Sequence, residues 1–248
     1  MNESAVFKAF SHTGYVRSNN EDEYLYLRSN AKHYDLLIIA DGMGGHSCGE
    51  IASKIAVQQS RRIIDEKFQK SMTDNQILDL MDYAIESANS HVEMESCTSQ
   101  NKKGMGTTLT CGLITRNNLY ISHVGDSRVY LLRNNSFKRL TKDDTYVQYL
   151  LDRGKITKQE AKTHPEKGSL IKALGVPEQL EPQLIKYPVQ TGDRIVFCTD
   201  GLYDAITEAD IRKILVQASN PNSAVNELIG QTLAHGAPDN VSVIVGFL

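Results

Sequence analysis

The sequence predicts an α+β fold: a single domain of antiparallel sheet with paired helices. Three observations lead there. Strand-like segments come in runs instead of alternating strictly with helices, two capped helical patterns sit together after the first run, and no linker, repeat or low-complexity tract divides the 248 residues. At about 150 residues per domain, the length leaves two small domains as the lesser reading.

The elements follow in order. Val6 to Ser11 and Glu23 to Arg28 alternate, and Leu36 to Ala40 is continuously apolar, so three strands open the chain. Ser47-Cys48-Gly49-Glu50 reads as a capping box starting a long helix with Ala52, Ile55, Ala56 and Ile63 on one face. Thr73-Asp74-Asn75-Gln76 starts a second, with Ile77, Leu80, Met81, Ala84, Ala88 and Val92 at helical spacing. Thr107 to Thr115, Leu119 to Val124 and Arg128 to Arg133, with turns at Arg116-Asn117-Asn118 and Asn134-Asn135, predict an antiparallel meander. From Thr141 to Gly175 the pattern weakens to short capped helices, before Gly154 and after Thr157, and a polar stretch from Thr163 to Gly168; a mobile flap is expected there. Ile195 to Thr199 is a strand. Thr207 to Ala218 and Pro221 to His235 are helices, the second with Pro in its first turn and Gly236 after its end, and Val241 to Leu248 closes as a strand.

Composition excludes several classes. With 27 Lys+Arg against 30 Asp+Glu, a formal charge of −3 and no block of five like charges, nothing recruits nucleic acid or an anionic membrane by bulk electrostatics. The longest apolar stretches are about a quarter of a membrane span. The start Met1-Asn2-Glu3-Ser4 lacks a basic region followed by an apolar core, so a soluble, cytoplasmic protein without membrane insertion is expected. Cys48, Cys97, Cys111 and Cys198 fall at wide, irregular spacings, which predicts buried packing thiols in a reducing compartment.

The informative residues are acids at strand ends. Asp41 follows Leu-Leu-Ile-Ile-Ala, Asp126 follows Ile-Ser-His-Val-Gly, Asp200 follows Ile-Val-Phe-Cys-Thr, and Asp239 precedes Asn240 and Val-Ser-Val-Ile-Val. Any one of them is ordinary turn chemistry. Four converging on one end of a sheet would repel one another and raise their own pKa values unless a cation neutralised them. The donors are hard oxygens and no His-x-x-x-His or cysteine pair accompanies them, which favours Mg²⁺ or Mn²⁺ over Zn²⁺ and makes phosphoryl chemistry the leading class. The loop Asp41-Gly42-Met43-Gly44-Gly45-His46 lets backbone approach an ion, and the Gly42 carbonyl is itself a candidate ligand. It fails the dinucleotide fingerprint, and neither a P-loop nor a nucleophile elbow occurs. In Gly14 to Asp22, Arg17 is a candidate for gripping phosphate oxygens, with Glu21 and Asp22 bonding metal-held waters; a solvated loop is the bland alternative.

Together these motifs form a pattern. Gly14 to Asp22 (G-x-x-R-x-x-N-E-D), Ala40 to His46 (A-D-G-M-G-G-H), Gly104 to Thr108 (G-M-G-T-T), Val124 to Tyr130 (V-G-D-S-R-V-Y), Thr199 to Leu202 (T-D-G-L) and Asp239 to Val243 (D-N-V-S-V) resemble the bacterial branch of the metal-dependent Ser/Thr protein phosphatases, type 2C, the PPM family. The resemblance covers essentially the whole chain. It implies one catalytic domain over 1–248, an αββα sandwich of two antiparallel sheets flanked by helix pairs, with the flap at about 141–175. It further implies two tightly bound Mn²⁺ or Mg²⁺ ions and a weaker third. Asp41 would bridge the pair, the Gly42 carbonyl would hold one ion, and Asp200 and Asp239 would complete the other. Asp126, with Asp200, would hold the third ion, Glu21 and Asp22 would act through water, and Arg17 would bind the substrate phosphate. The implied reaction is in-line attack on phosphorus by a metal-bridging hydroxide, without a phosphoenzyme.

Some positions depart from the family pattern. Met43 stands where many eukaryotic relatives have a histidine, and it carries no proton to donate. His46 is read as a capping or packing residue, His12 replaces a common aspartate, and Asp143-Asp144-Thr145 stands where Asp-His-Ser is frequent. His33, His91, His123, His164 and His235 are assigned to surface or packing. The leading function is a monomeric phosphoserine/phosphothreonine protein phosphatase opposing a Ser/Thr kinase of the same cytoplasm, acting on phosphorylated proteins. The alternatives are a non-catalytic phosphoprotein binder, against which every core ligand position is filled, and a two-metal nuclease or small phosphoesterase. The absence of basic patches speaks against nucleic acid.

Overall fold

The first three strands, β1 (Val6–His12), β2 (Asp22–Ser29) and β3 (Tyr34–Met43), form where alternation and the apolar run place them, in a computed structural model that describes residues 5–43, 48–176 and 180–248. β3 shows why a continuous apolar run suits a strand covered on both faces. Its Leu36, Ile38 and Ala40 join one buried cluster while Leu37 and Ile39 join another. The helices α1 (Gly49–Lys67) and α2 (Asp74–Ser96) pack on the first of these faces through Ala52, Ala56, Ile63, Ile77, Met81, Ala84 and Val92. Thr73 and Gln76 form the expected capping box. For α1 the expectation is corrected: Cys48 is the capping residue and makes no side-chain cap, while Ser47 and His46 lie outside the described residues.

The strands β4 (Gly106–Thr107), β5 (Leu109–Thr115) and β6 (Asn118–Val124) follow, then β7 (Arg128–Arg133) and β8 (Ser136–Arg139). They are not one meander. β5 and β6 pair in one sheet, ordered β2-β3-β5-β6 and then β9 (Gln183–Pro188), to which β4 attaches through β3, whereas β7 and β8 belong to the other, ordered β1, β11 (Val241–Phe247), β10 (Arg194–Cys198), β7 and β8. The change of sheet falls at Gly125-Asp126-Ser127, where Gly125 has φ +103 and a Cβ would lie 2.6 Å from Thr108 Cβ. Both Asn134 and Asn135 have positive φ, the geometry of a tight two-residue hairpin.

The segment expected to be a flap carries α3 (Tyr146–Asp152) and α4 (Lys158–Lys162), the latter with the capping box Thr157–Glu160. Beyond it come β9 (Gln183–Pro188), β10 (Arg194–Cys198), the single turn α5 (Asp200–Tyr203), α6 (Glu208–Gln217), α7 (Pro221–Ala234) and β11 (Val241–Phe247). The helices α6 and α7 cover the five-stranded sheet through Ile211, Leu215, Ala224, Val225 and Leu228. Between the sheets lie Leu37, Ile39, Ile121, Val129, Leu131, Ile195, Phe197 and Ile244. There the Phe197 ring occupies the space above Gly112, where a Cβ would come within 2.3 Å of its Cζ. The result is the four-layer αββα sandwich with every pairing antiparallel.

Cys111 and Cys198 are buried, as expected, but Cys97 is exposed because it terminates α2. His123, in β6, is fully buried with Nδ1 2.7 Å from Thr110 Oγ1 and Nε2 without a partner. Burial disfavours the imidazolium and pushes its pKa down from 6.5 to about 4. Because the unfolded chain takes up that proton first, the folded state loses stability as pH falls from the ordinary histidine value toward that depressed one. His123→Gln should flatten the acid limb of stability by about 2 kcal/mol between roughly pH 7 and pH 5, read by urea denaturation beside the parent.

Candidate active site

Asp41 ends the apolar run of β3 directly across from Asp22 of β2. Its backbone is held on both sides. The Asp41 N–H donates to Thr108 Oγ1 at 2.9 Å, and Thr107 Oγ1 and the Thr108 N–H donate to its carbonyl oxygen at 2.9 Å each. Thr108 Oγ1 also lies 2.9 Å from Ser127 Oγ, so the residue after Asp126 is tied to the strand carrying Asp41. Gly42 must be glycine: a Cβ would sit 2.3 Å from the Gly49 carbonyl oxygen and 2.6 Å from that of Glu21.

The first loop is fastened from the opposite end of the chain. Asn240 is 6% exposed and donates to the carbonyls of Thr13 (2.8 Å) and Asn19 (2.9 Å), while its Oδ1 accepts from the Glu21 N–H at 2.8 Å. Gly14, at φ +80, lies so close that a Cβ would meet the Asp239 carbonyl oxygen at 2.3 Å. His12 Nδ1 accepts from the Gly14 N–H at 2.9 Å, the polar contact this substitution brings to the loop. Arg17 thereby reaches Asp239, with Nη2 2.7 Å from Oδ2.

Asp200 starts α5, where Thr199 turns the chain out of β10. Thr199 Oγ1 donates to Asp22 Oδ2 at 2.9 Å and accepts from the Ser242 N–H at 3.0 Å, which binds β2, β10 and β11 together beneath the acids. Asp126 sits at the crossing between sheets, and its carbonyl accepts from Tyr203 Oη at 2.9 Å. The Arg128 guanidinium lies 3.5 Å from the Tyr203 ring centre and bonds Asp143 at 2.6 Å.

Arg17, Glu21, Asp41, Gly42, Asp126, Asp200 and Asp239 all line one cavity of about 660 Å³. Asp22 is not among its lining residues; it is buried behind Asp41. Met43 lines the cavity, and Gly44, Gly45 and His46 lie outside the described residues.

The acids disturb one another. Burial first, then the charges of Asp22, Asp200, Asp126 and Asp239, pushes the Asp41 carboxyl well above the usual range. Asp200 is raised by burial and by Asp239, Asp126 by burial and by Asp200, and Asp22 chiefly by burial. One oxygen each of Asp22 and Asp200 is buried without a partner. Among the described residues no three carboxylate, imidazole or thiol groups are gathered as a formed ion shell. The donor set nevertheless suits hard divalent cations, because the orphaned Asp200 oxygen and the mutually repelling carboxylates of Asp41, Asp126, Asp200 and Asp239 on one cavity are what such ions would satisfy.

Sequence reasoning did not assign roles to Asn240, Thr108 or Thr199, although each stands inside a quoted motif; the signal was a polar residue beside an acid at a strand end. Glu50 was read only as a helix cap. Its Oε2 is buried without a partner, and its charge adds to burial in raising the Glu21 carboxyl.

Comparison with known proteins agrees with this geometry. Residues 13–234 match the family Protein phosphatase 2C. Serine/threonine protein phosphatase PstP of Mycobacterium tuberculosis is 38% identical over 239 residues, 96% of this chain, which spans only 44% of that protein's length. Serine/threonine phosphatase stp of Listeria innocua is 32% identical over 94% of this chain and 91% of its own. The crystal structure of the PstP catalytic domain in complex with two manganese ions superposes with a TM-score of 0.84 at 36% identity, covering 98% of this chain and 97% of that one. On the length matched, and with the four-layer sandwich and its acid-lined cavity in place, this chain belongs to the protein phosphatase 2C family.

Proposed function

We propose that the chain is a metal-dependent protein phosphatase that removes phosphate from phosphoserine and phosphothreonine in proteins. The observation that carries this reading is the gathering of Asp41, Asp126, Asp200 and Asp239 with Arg17 on one cavity. Asp41, the Gly42 carbonyl, Asp200 and Asp239 would hold two Mn²⁺ or Mg²⁺ ions, Asp126 and Asp200 a weaker third, and Glu21 and Asp22 would contribute through water. Bound there, the ions supply positive charge for the phosphoryl oxygens and lower the proton affinity of water.

The chain's own residues do the rest. Arg17 receives phosphate oxygens on its planar fork. In doing so it leaves Asp239, at little cost because the pair is exposed, with 54% and 34% side-chain exposure. No serine or cysteine lines the cavity among the described residues, and Thr108 is engaged with Asp41 and Ser127, so direct attack by water fits better than a phosphoenzyme. Met43 offers no proton, and water is the donor proposed for the departing alkoxide.

Purified protein should hydrolyse p-nitrophenyl phosphate and a phosphothreonine peptide with Mn²⁺ or Mg²⁺, and EDTA should abolish turnover. Turnover that persists in EDTA would refute the reading. Asp126→Ala should lower kcat while calorimetry still detects two tight ions; loss of the tight pair would contradict a third-ion role.

The same reading makes the enzyme a monomer that opposes a Ser/Thr kinase in the cytoplasm. No helix among the described residues is long and apolar enough to cross a membrane. A phosphoproteome of a strain lacking the gene, compared with its parent, identifies the substrates.

A further inference from the structure

We propose that Leu170, Ile171 and Ala173 form a subsite for an apolar side chain adjacent to the phosphorylated residue of the substrate protein; the inference rests on the phosphatase reading. The cavity is far larger than a phosphoryl group, within the range of pockets that hold whole ligands. Its acids account for part of the wall. Another part is apolar: Leu170, Ile171, Ala173, Val176 and Leu180. Ile171 is 38% exposed there although it borders a space lined with carboxylates. Besides Arg17, Lys172 is the other cation among the described lining residues, and its Nζ donates to the Glu181 carbonyl at 3.1 Å.

This wall is fixed relative to the acids. The Ile171 N–H donates to the Asp144 carbonyl at 2.8 Å, and the Asp144 N–H donates to the Gly125 carbonyl at 2.7 Å, one residue from Asp126. Leu174 exchanges two backbone hydrogen bonds with Thr107, at 2.9 and 3.1 Å, and Thr107 Oγ1 is one of the two groups that donate to the Asp41 carbonyl. A polypeptide whose phosphate sits at Arg17 carries its neighbouring side chains within a few ångströms, since successive Cα atoms are about 3.8 Å apart. An apolar neighbour buries itself against Ile171 and Leu170; a polar one forfeits its hydration there.

The test compares kcat/KM, with Mn²⁺, for three phosphothreonine peptides flanked on both sides by leucine, by serine or by aspartate. The leucine peptide should be favoured about tenfold over the serine peptide. Ile171→Ser should bring that ratio close to one, and Ile171→Leu should retain it. A parent ratio near one, an unchanged ratio in Ile171→Ser, or preference for aspartate overturns the inference while leaving the phosphatase reading intact. Failure of the parent protein to hydrolyse any of the three overturns both.

Discussion

Asp200→Asn should lower kcat/KM for p-nitrophenyl phosphate by roughly a hundredfold or more, because an amide supplies far less negative charge to a divalent cation than a carboxylate. The same substitution should not harm the fold. Asp200 stands at the first position of α5 on the cavity wall, its Oδ1 is buried without a partner, and the charges of Asp239 and Asp204 repel it. In EDTA, the melting temperature of Asp200→Asn should equal or exceed that of the parent, since one repelling charge is gone. With Mn²⁺ the order should reverse, because the parent gains binding energy that the variant lacks. Near-normal turnover would refute the ligand role, and a collapse of melting temperature in EDTA would mark the residue as structural.

Gly201→Ala should damage both stability and catalysis. A Cβ on Gly201 would lie 2.0 Å from the Asn240 carbonyl oxygen, a backbone atom that cannot rotate aside. Either α5 or the segment leading into β11 must move, and these carry Asp200 and Asp239. Overpacking of this kind costs about 1–3 kcal/mol. The loss should appear in urea denaturation, together with weaker Mn²⁺ binding by calorimetry. A variant as stable and as tight-binding as the parent would mean that the two segments are not in contact.

Much of this was legible in the residues. β3 declared itself because an uninterrupted apolar run has few other homes, and α2 because its capping box and apolar stripe agree. β9 stayed hidden: it is an edge strand bounded by Pro182 and ending at Pro188, and although its burial alternates, its residue types do not, since Gln183 is partly covered while Leu184 is 39% exposed. The crossing of β7 into the second sheet was missed because local pattern cannot say which sheet a hairpin neighbour will join. At the site, the acids and Arg17 were found by type and position. Asn240 was not, because an asparagine beside an aspartate looks like any turn until the loop it fastens, 219 to 227 residues away in the chain, is seen folded against it.

The packing of Phe197 over Gly112 has a reach beyond the interior. Asp41 belongs to one sheet, whereas Asp200 and Asp239 flank strands of the other, so the gap across which these acids face one another is set by the thickness of the apolar filling between the sheets. A methyl group added at Gly112 would act on the spacing of oxygens that it never touches. The spacing of these acids is therefore written partly in side-chain volumes between the sheets.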